Sequence, residues 1–351
     1  MKRIAIICVI LCTPLLINAQ VQIPTLDDLD HEIAMSSQYD KQYEDVIRSV
    51  KKQLHAAKTL KARCELSDKL FNLYTSYSVD SAIVYAMEKQ KIAKTMGNQS
   101  KVNDAKLNLA YLLIRGGELK EASDIINSIP RSEINQDLSF YYFSTRKTLY
   151  RTLADAALIP SQRKQYKQME KLCNDSVVDN NQSPDIWSRA EQLVNRQQYE
   201  QAKKILLDAY HHLKPGDRQT AFVSISLADI YGREKNVEAQ KQYLIAAAIS
   251  DIRNSVKEYL ALQQLAMILF EEGDTKRAYA YMDHAMNDAV FCNARQRTIA
   301  MADVWPAIEK SHERETKSRT LKLTAALVLI SLMSIFLLVM IVYTRRRVVE
   351  L

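Results

Sequence analysis

Residues 258–292 read EYLALQQLAMILFEEGDTKRAYAYMDHAMNDAVFC, a sequence in which two helical patterns are separated by a turn. An apolar helix is predicted from Leu260 to Phe270, and the turn that follows, Glu271-Glu272-Gly273-Asp274, contains a glycine that permits a tight reversal. Small and apolar residues of the second helix share one face: Ala278, Met282 and Ala285. Such a helical hairpin cannot bury its apolar face alone, so we expect it to be repeated and stacked.

Earlier parts of the chain repeat this pattern at regular intervals. Counting back from Ala266, equivalent small or apolar positions are Ala228, Ala190, Tyr150, Ala110 and Leu70, at steps of 38, 38, 40, 40 and 40 residues. The unit resembles a tetratricopeptide repeat (TPR), whose period is about 34 residues. The sequence therefore predicts an all-α, TPR-like helical-hairpin solenoid of about six helix pairs over residues 58–292.

The units differ in how well they match the pattern. The units around Ala190 and Ala110 match the residue pattern of the unit at Ala266 best. The Ala228 unit carries Lys235-Asn236 where the turn glycine is expected. In the Tyr150 unit, Ile159-Pro160 falls at the turn, so we predict a helix pair with an irregular loop there.

The N-terminus has the pattern of an export signal. Lys2-Arg3 precede an apolar run from Ile4 to Ile17, and Asn18-Ala19 form a plausible cleavage edge. We interpret residues 1–19 as a cleaved signal peptide, since the apolar run is short for a membrane span. Residues 20–57 are predicted to form N-terminal capping helices, a short one followed by a longer one from about Tyr43 to His55.

The C-terminal part combines a stalk with an apolar segment. Residues 293–322 are predicted to form capping and juxtamembrane stalk helices, and no helix breaker follows Trp305-Pro306. Leu323 to Val342 is nearly all apolar and matches a bilayer core of about 30 Å. We therefore predict a transmembrane helix at 323–343, continuous with the stalk, and a short cytoplasmic tail at 344–351.

Composition excludes several classes of protein. The net charge of +7 is dispersed, which argues against binding to nucleic acid. Catalytic and metal-binding motifs do not emerge, so we predict a protein that is not an enzyme and has no cofactor. Cys64, Cys173 and Cys292 are interpreted as buried small hydrophobes, although one disulfide stays possible.

Binding along the concave face of the solenoid is the favoured role, because the first helices of stacked hairpins line such a face. The candidate contacts for a protein or peptide are Tyr111, Arg115, Trp187, Glu191, Asp229, Arg233 and Glu271. For Tyr111 and Trp187, packing between repeats is the alternative interpretation. An ordinary solvated surface is the alternative for Asp229, Arg233 and Glu271.

The order of these segments carries a resemblance that covers nearly the entire chain. Together with LFNLYTSYSVDSAIVYA (70–86) and EEGDTKRAYAYMDHAMNDAVFCNAR (271–295), it is similar to a family of Bacteroidota membrane proteins with a TPR ectodomain, often described as regulators. Members of that family continue after the span into a cytoplasmic coiled coil, whereas this sequence ends at Leu351.

The resemblance implies a sensory or interaction part of a regulator, with its repeats in the periplasm and a single span in the inner membrane. The alternative is a periplasmic scaffold for envelope protein assembly that sends no signal. The oligomeric state stays open.

Overall fold

The computed structural model describes residues 24–179, 185–214 and 216–350, so the predicted signal peptide lies outside the described residues. Within these ranges the chain is helical and contains no strand. The helices are α1 (Leu26–Ala56), α2 (Leu60–Tyr74), α3 (Val79–Thr95), α4 (Gln99–Gly116), α5 (Leu119–Asn127), α6 (Gln136–Ala156), α7 (Pro160–Asp179), α8 (Ile186–Asn195), α9 (Tyr199–His212), α10 (Arg218–Arg233), α11 (Val237–Arg253), α12 (Ala261–Glu272), α13 (Thr275–Cys292), α14 (Arg295–Ala302) and α15 (Trp305–Glu350). The all-α prediction is confirmed.

Helices α2 to α13 form consecutive hairpins. The two helices of each hairpin pack together, and each hairpin also packs against the next, as α4 does on α6 and α8 on α10. Two apolar cores lie between stacked hairpins. One is centred on Ala110 and Ile126, and the other on Ala190 and Leu227. This is the predicted helical-hairpin solenoid.

The turns inside the hairpins use a left-handed backbone conformation where the repeat pattern asks for glycine. Gly117 and Gly273 follow α4 and α12 with φ of 85° and 89°. Lys235 adopts φ of 61° after α10, a conformation that costs a residue with a side chain about 1–2 kcal/mol. The hairpin that departs from the consensus therefore keeps the same turn at the cost of backbone strain.

The degenerate unit around Tyr150 is a pair of long helices. Helix α6 has 21 residues and α7 has 20, and only Ala157–Ile159 connect them. Pro160 is the first residue of α7, a position where proline lacks no helical hydrogen bond. The proline thus starts a helix soon after α6 ends.

The N-terminal region forms one helix where the sequence predicted two. Helix α1 is continuous over 31 residues and begins with a capping box, in which Thr25 and Asp28 bond to each other's backbone amides. Residues 26–56 contain neither glycine nor proline, so nothing interrupts the backbone hydrogen bonds between the two predicted segments.

Helix α1 does not simply cover the first hairpin. It packs against α11 as well as α2, and one apolar core contains residues from both ends of the solenoid. Among them are Leu29 of α1, Phe71 of α2, Leu262 of α12 and Met282 of α13. The first and last hairpins therefore meet, and α1 closes the array.

Helix α15 is continuous from the solenoid through the apolar segment, as predicted. Its first part contacts α13 and α14, and Ile308 is fully buried there. Helix α15 is long and apolar enough to cross a membrane within Trp305–Arg346. The most apolar 18 residues of this range have a mean hydropathy of 3.0, and none of them is buried within the protein. The described part of the chain thus has one candidate membrane span, typical of a single-pass membrane protein.

Candidate functional site

The contact between α1 and the last hairpins is built from charged pairs. We call it the closing interface, and its α1 residues are all acidic, with partners that come from α11, α13 and the segment before α12. The pairs are Asp27 and Asp30 with Arg277, Glu32 with Arg253, and Asp40 with Lys257. The partners lie more than 200 positions apart in sequence, so these pairs join the N-terminal end of the solenoid to its C-terminal end.

Lys257 is the most buried cation of the closing interface, with 4% of its surface exposed. Its ammonium group donates to Asp40 at 2.6 Å and to Asp288 at 3.0 Å. Its backbone N–H donates to the carbonyl of Ser76 at 2.7 Å, so the same residue also holds the turn between α2 and α3. Removing either Lys257 or its carboxylate partners should strongly destabilise the fold, because the remaining buried charge would be left without a partner.

Helix α13 contacts α1 on one face and α15 on the other. Arg277 Nε lies 2.9 Å from Asp30, and the Tyr281 hydroxyl donates to the same carboxylate at 2.6 Å. On the opposite face, Thr275 donates to Glu315, and the Tyr279 ring lies against α15. Residues two apart on a helix point about 200° away from each other, which explains the alternation.

The predicted contact residue Arg115 is buried, with 8% of its surface exposed. Its guanidinium lies 2.6 Å from Glu258 and donates to the carbonyl of Thr75. It also stands over the ring of Tyr111, 5.6 Å from the centroid. Arg115 therefore joins the second hairpin to the first turn and to the segment before α12.

Glu191 is also engaged inside the fold. Its carboxylate lies 2.8 Å from Lys147 and pairs with Arg151, which connects α8 to α6. The neighbouring candidate Trp187 is half-buried and stacks on Phe222, with ring centroids 5.3 Å apart. Phe222 was not singled out in the sequence, yet it is 44% exposed and extends the aromatic surface of Trp187.

Asp229, Arg233 and Glu271 lie at the surface. Asp229 and Arg233 form an ion pair of 2.9 Å one helical turn apart, and both side chains are more than half exposed. Glu271 is exposed near the end of α12. These three side chains, together with Trp187 and Phe222, are accessible to a partner.

A carboxyl group that no local sequence pattern singles out, that of Asp251, lies near Glu258, the partner of Arg115. Burial raises the pKa of Asp251 to about 7, and the nearby carboxylate of Glu258 adds to the increase. Arg218 and Arg297 oppose it, because their positive charges favour the ionised form. Asp251 therefore changes its charge near neutral pH.

Two cavities border helix α1. One, of about 330 Å³, lies between α1 and α9 to α11 and is lined by Glu32, Tyr210, Leu213, Ile249 and Arg253 among others. The other, of about 350 Å³, lies between α2 and the start of α10, and its lining residues include Tyr43, Asp68, Asn72 and Arg218. The residues that the structure describes contain no cluster of His, Cys, Asp and Glu suited to a metal ion.

The fold and the exposed surfaces define a TPR scaffold, a non-catalytic class of protein that binds other proteins. A family profile for the SusR N-terminal TPR domain matches residues 33–303, which is most of the chain. The chain therefore belongs to the SusR N-terminal TPR domain family. A comparison with curated proteins finds no significant match.

Proposed function

We propose that this chain is the sensory and interaction part of a membrane-anchored regulator. Its repeats bind a protein or peptide on the periplasmic side, and α15 crosses the inner membrane with its C-terminus in the cytoplasm. The observation that supports this best is that α13 contacts α1 and α15 on opposite faces. A change in how the solenoid closes would therefore move the helix that leads into the membrane.

The closing interface supports this mechanism because a few charged pairs join α1 to the last hairpins beside their shared apolar core. A ligand that binds across hairpins would shift one end of the solenoid relative to the other. The size of this shift depends on how much more tightly the ligand binds the shifted solenoid than the unshifted one. The distances between the acidic groups of α1 and their partners Arg253, Lys257 and Arg277 would then increase or decrease together. Helix α15 has no break between its docked part and the apolar part, so it would carry the motion.

We place the ligand on the accessible members of the predicted set. Trp187 with Phe222 offers an aromatic surface, while Asp229, Arg233 and Glu271 offer charges of both signs. Tyr111 is half-buried beside Arg115 and would contribute at the edge. Arg115 and Glu191 would act indirectly, since their charges already pair with Glu258 and Lys147.

The inferred membrane orientation rests on the sequence at both ends. The leader at residues 1–19 would export the repeats, and Arg345 to Arg347 would remain on the cytoplasmic side. In this arrangement residues 20–57, the repeats at 58–292 and the stalk at 293–322 all lie outside the cytoplasm. Residues 323–343 span the bilayer, and residues 344–351 lie in the cytoplasm.

Site-specific photocrosslinking in envelope membranes tests this function. A photoreactive residue at Arg233 or at Phe222 should capture the same protein or peptide, and one at Lys91, exposed on α3, should not. Adding the purified captured partner to the anchored chain should then change amide exchange in residues 305–315. Equal capture at Lys91, or none at Arg233 and Phe222 in the folded protein, would contradict the proposal.

A further inference from the structure

The cavity between α1 and α9 to α11 is bounded by continuous helix faces. Residues three, four or seven positions apart lie on one face of a helix, and the lining residues of α1 and α11 follow this spacing. The lining includes Asp28, His31 and Glu32 from α1, Ala246, Ile249 and Arg253 from α11, and Tyr210 and Leu213 at the end of α9. The cavity therefore has one wall from the closing helix and another from the repeats.

The walls of the cavity are held in place by bonds within the protein. Glu32 accepts a hydrogen bond from Arg253 at 2.5 Å and another from the hydroxyl of Tyr39 at 2.7 Å. The loop between α9 and α10 is held by α11, because Asn254 donates to the carbonyl of Gly216 at 2.9 Å. Sites for small ligands are usually preformed in this way.

The wall formed by α9 and α11 is largely apolar. Leu213, Ala246 and Ile249 contribute aliphatic groups, and the ring of Tyr210 packs edge-on against Tyr243 with centroids 5.4 Å apart. Burial raises the pKa of the Tyr210 hydroxyl, and among the residues that the structure describes this hydroxyl has no hydrogen-bond partner. An apolar molecule with one polar group matches such a wall.

The charges that line the cavity balance. Asp28 and Glu32 are acidic, whereas Lys214 and Arg253 are basic. Glu32 and Arg253 pair with each other, and the Asp28 carboxylate takes part in the capping box of α1. Lys214 and His31 are exposed to water. The lining therefore does not select a ligand with a net charge.

We propose that this cavity binds a small uncharged molecule with an apolar body of one or two rings and a polar group that bonds to the hydroxyl of Tyr210. The volume of about 330 Å³ is close to the lower limit of about 300 Å³ for ligand sites, which restricts the ligand to a small molecule. The lining residues differ from those of the proposed protein or peptide surface, so this is a second site.

A molecule in the cavity stabilises the closed solenoid. It contacts α1 on one side and α9 to α11 on the other, and it makes both sets of contacts only while α1 is docked. A ligand that binds one arrangement more tightly shifts the population toward that arrangement. The site thus gives a small molecule control over the closing interface.

The test uses the full chain in nanodiscs with 5-fluoroindole, an uncharged two-ring compound, observed by fluorine NMR. Ala246→Leu and Ile249→Trp each fill the cavity, and Leu172→Trp, at an exposed position of α7, is the control. We expect binding to be at least about tenfold weaker in each filled variant and unchanged in the control. Partition into lipid is the same in all discs, so differences between variants report on the cavity.

The same samples show which part of the chain the compound protects. Amide exchange should slow in residues 26–33 and in α9 to α11 of the parent, which locates the site even if a filled variant does not fold. No binding to the parent, or slower exchange only elsewhere, would show that the cavity is not the site, as would equal binding in folded, filled variants. Binding without slower exchange in residues 26–33 would contradict the effect on closure. Indole-3-acetate should bind more weakly, and equal or tighter binding would exclude an uncharged ligand class.

Discussion

The ammonium group of Lys257 lies 2.6 Å from the carboxylate of Asp40, although the two residues are 217 positions apart in the chain. Lys257→Met should therefore lower the free energy of unfolding by about 3–5 kcal/mol, because Asp40 and Asp288 would remain without their buried partner. Urea unfolding of the full chain in detergent, followed by circular dichroism, measures this.

The control for Lys257 is an ion pair at the surface. Asp229 and Arg233 are both more than half exposed, so Arg233→Met should cost at most about 1 kcal/mol. Equal, small effects of the two substitutions would show that the closing interface does not depend on Lys257.

The stability of the fold should decrease as the pH rises toward neutrality because of Asp251. The folded protein keeps a proton on this carboxyl up to about pH 7, whereas the unfolded chain releases it near about pH 4. Between these values the folded state binds more protons, so a rise in pH lowers the free energy of unfolding.

Asp251→Asn removes this titration. The variant should lose less stability than the parent between about pH 4 and pH 7 and should be the more stable of the two at about pH 8. Thermal unfolding at several pH values provides the measurement. Parallel pH profiles for the parent and the variant would exclude Asp251 as the source of the slope.

The strained turn at Lys235 predicts a stabilising substitution. Lys235→Gly should raise the free energy of unfolding by about 1 kcal/mol, because glycine adopts a φ of 61° without the penalty that a side chain brings. The matched control is Gly273→Ala, where an added Cβ meets no atom within 4 Å, so any loss of stability comes from the backbone. A loss of stability in Lys235→Gly would contradict the account of this turn.

The three cysteines that the structure describes should be unreactive in the folded protein. Cys64, Cys173 and Cys292 are free and buried, and burial raises the pKa of the Cys292 thiol to about 12. Maleimide should label them slowly in buffer and completely in denaturant without a reductant. Mass spectrometry distinguishes this from a disulfide, which would block two of the three in denaturant.

Local patterns predicted the architecture well. The spacing of Ala110, Ala190 and Ala266 indicated hairpins, and the turn glycines Gly117 and Gly273 adopt the expected left-handed conformation. The lack of a breaker after Pro306 predicted the continuity of α15. These features depend on residues that are close in sequence, where periodicity and turn chemistry are informative.

The closure of the solenoid could not be predicted in this way. Asp40 lies in α1 and Lys257 in the segment before α12, and charged residues at the surface of an element give no periodic signal that identifies their partner. For the same reason, local patterns did not indicate that the predicted contact Arg115 pairs with Glu258. Asp251 lacked any local signal, because its pKa depends on groups that only folding brings near.

The central claim is that α13 couples the closing interface to the membrane helix. Amide hydrogen exchange of the full chain in nanodiscs tests it, with the contact between α1 and α13 weakened by Asp27→Ala and Asp30→Ala together, which removes both α1 partners of Arg277. Lys120→Ala, which removes an exposed pair with Asp124 on α5, is the control. We predict faster exchange in residues 305–315 of the α1 variant and no change in the control. Faster exchange in α1 with unchanged protection of residues 305–315 would contradict the coupling.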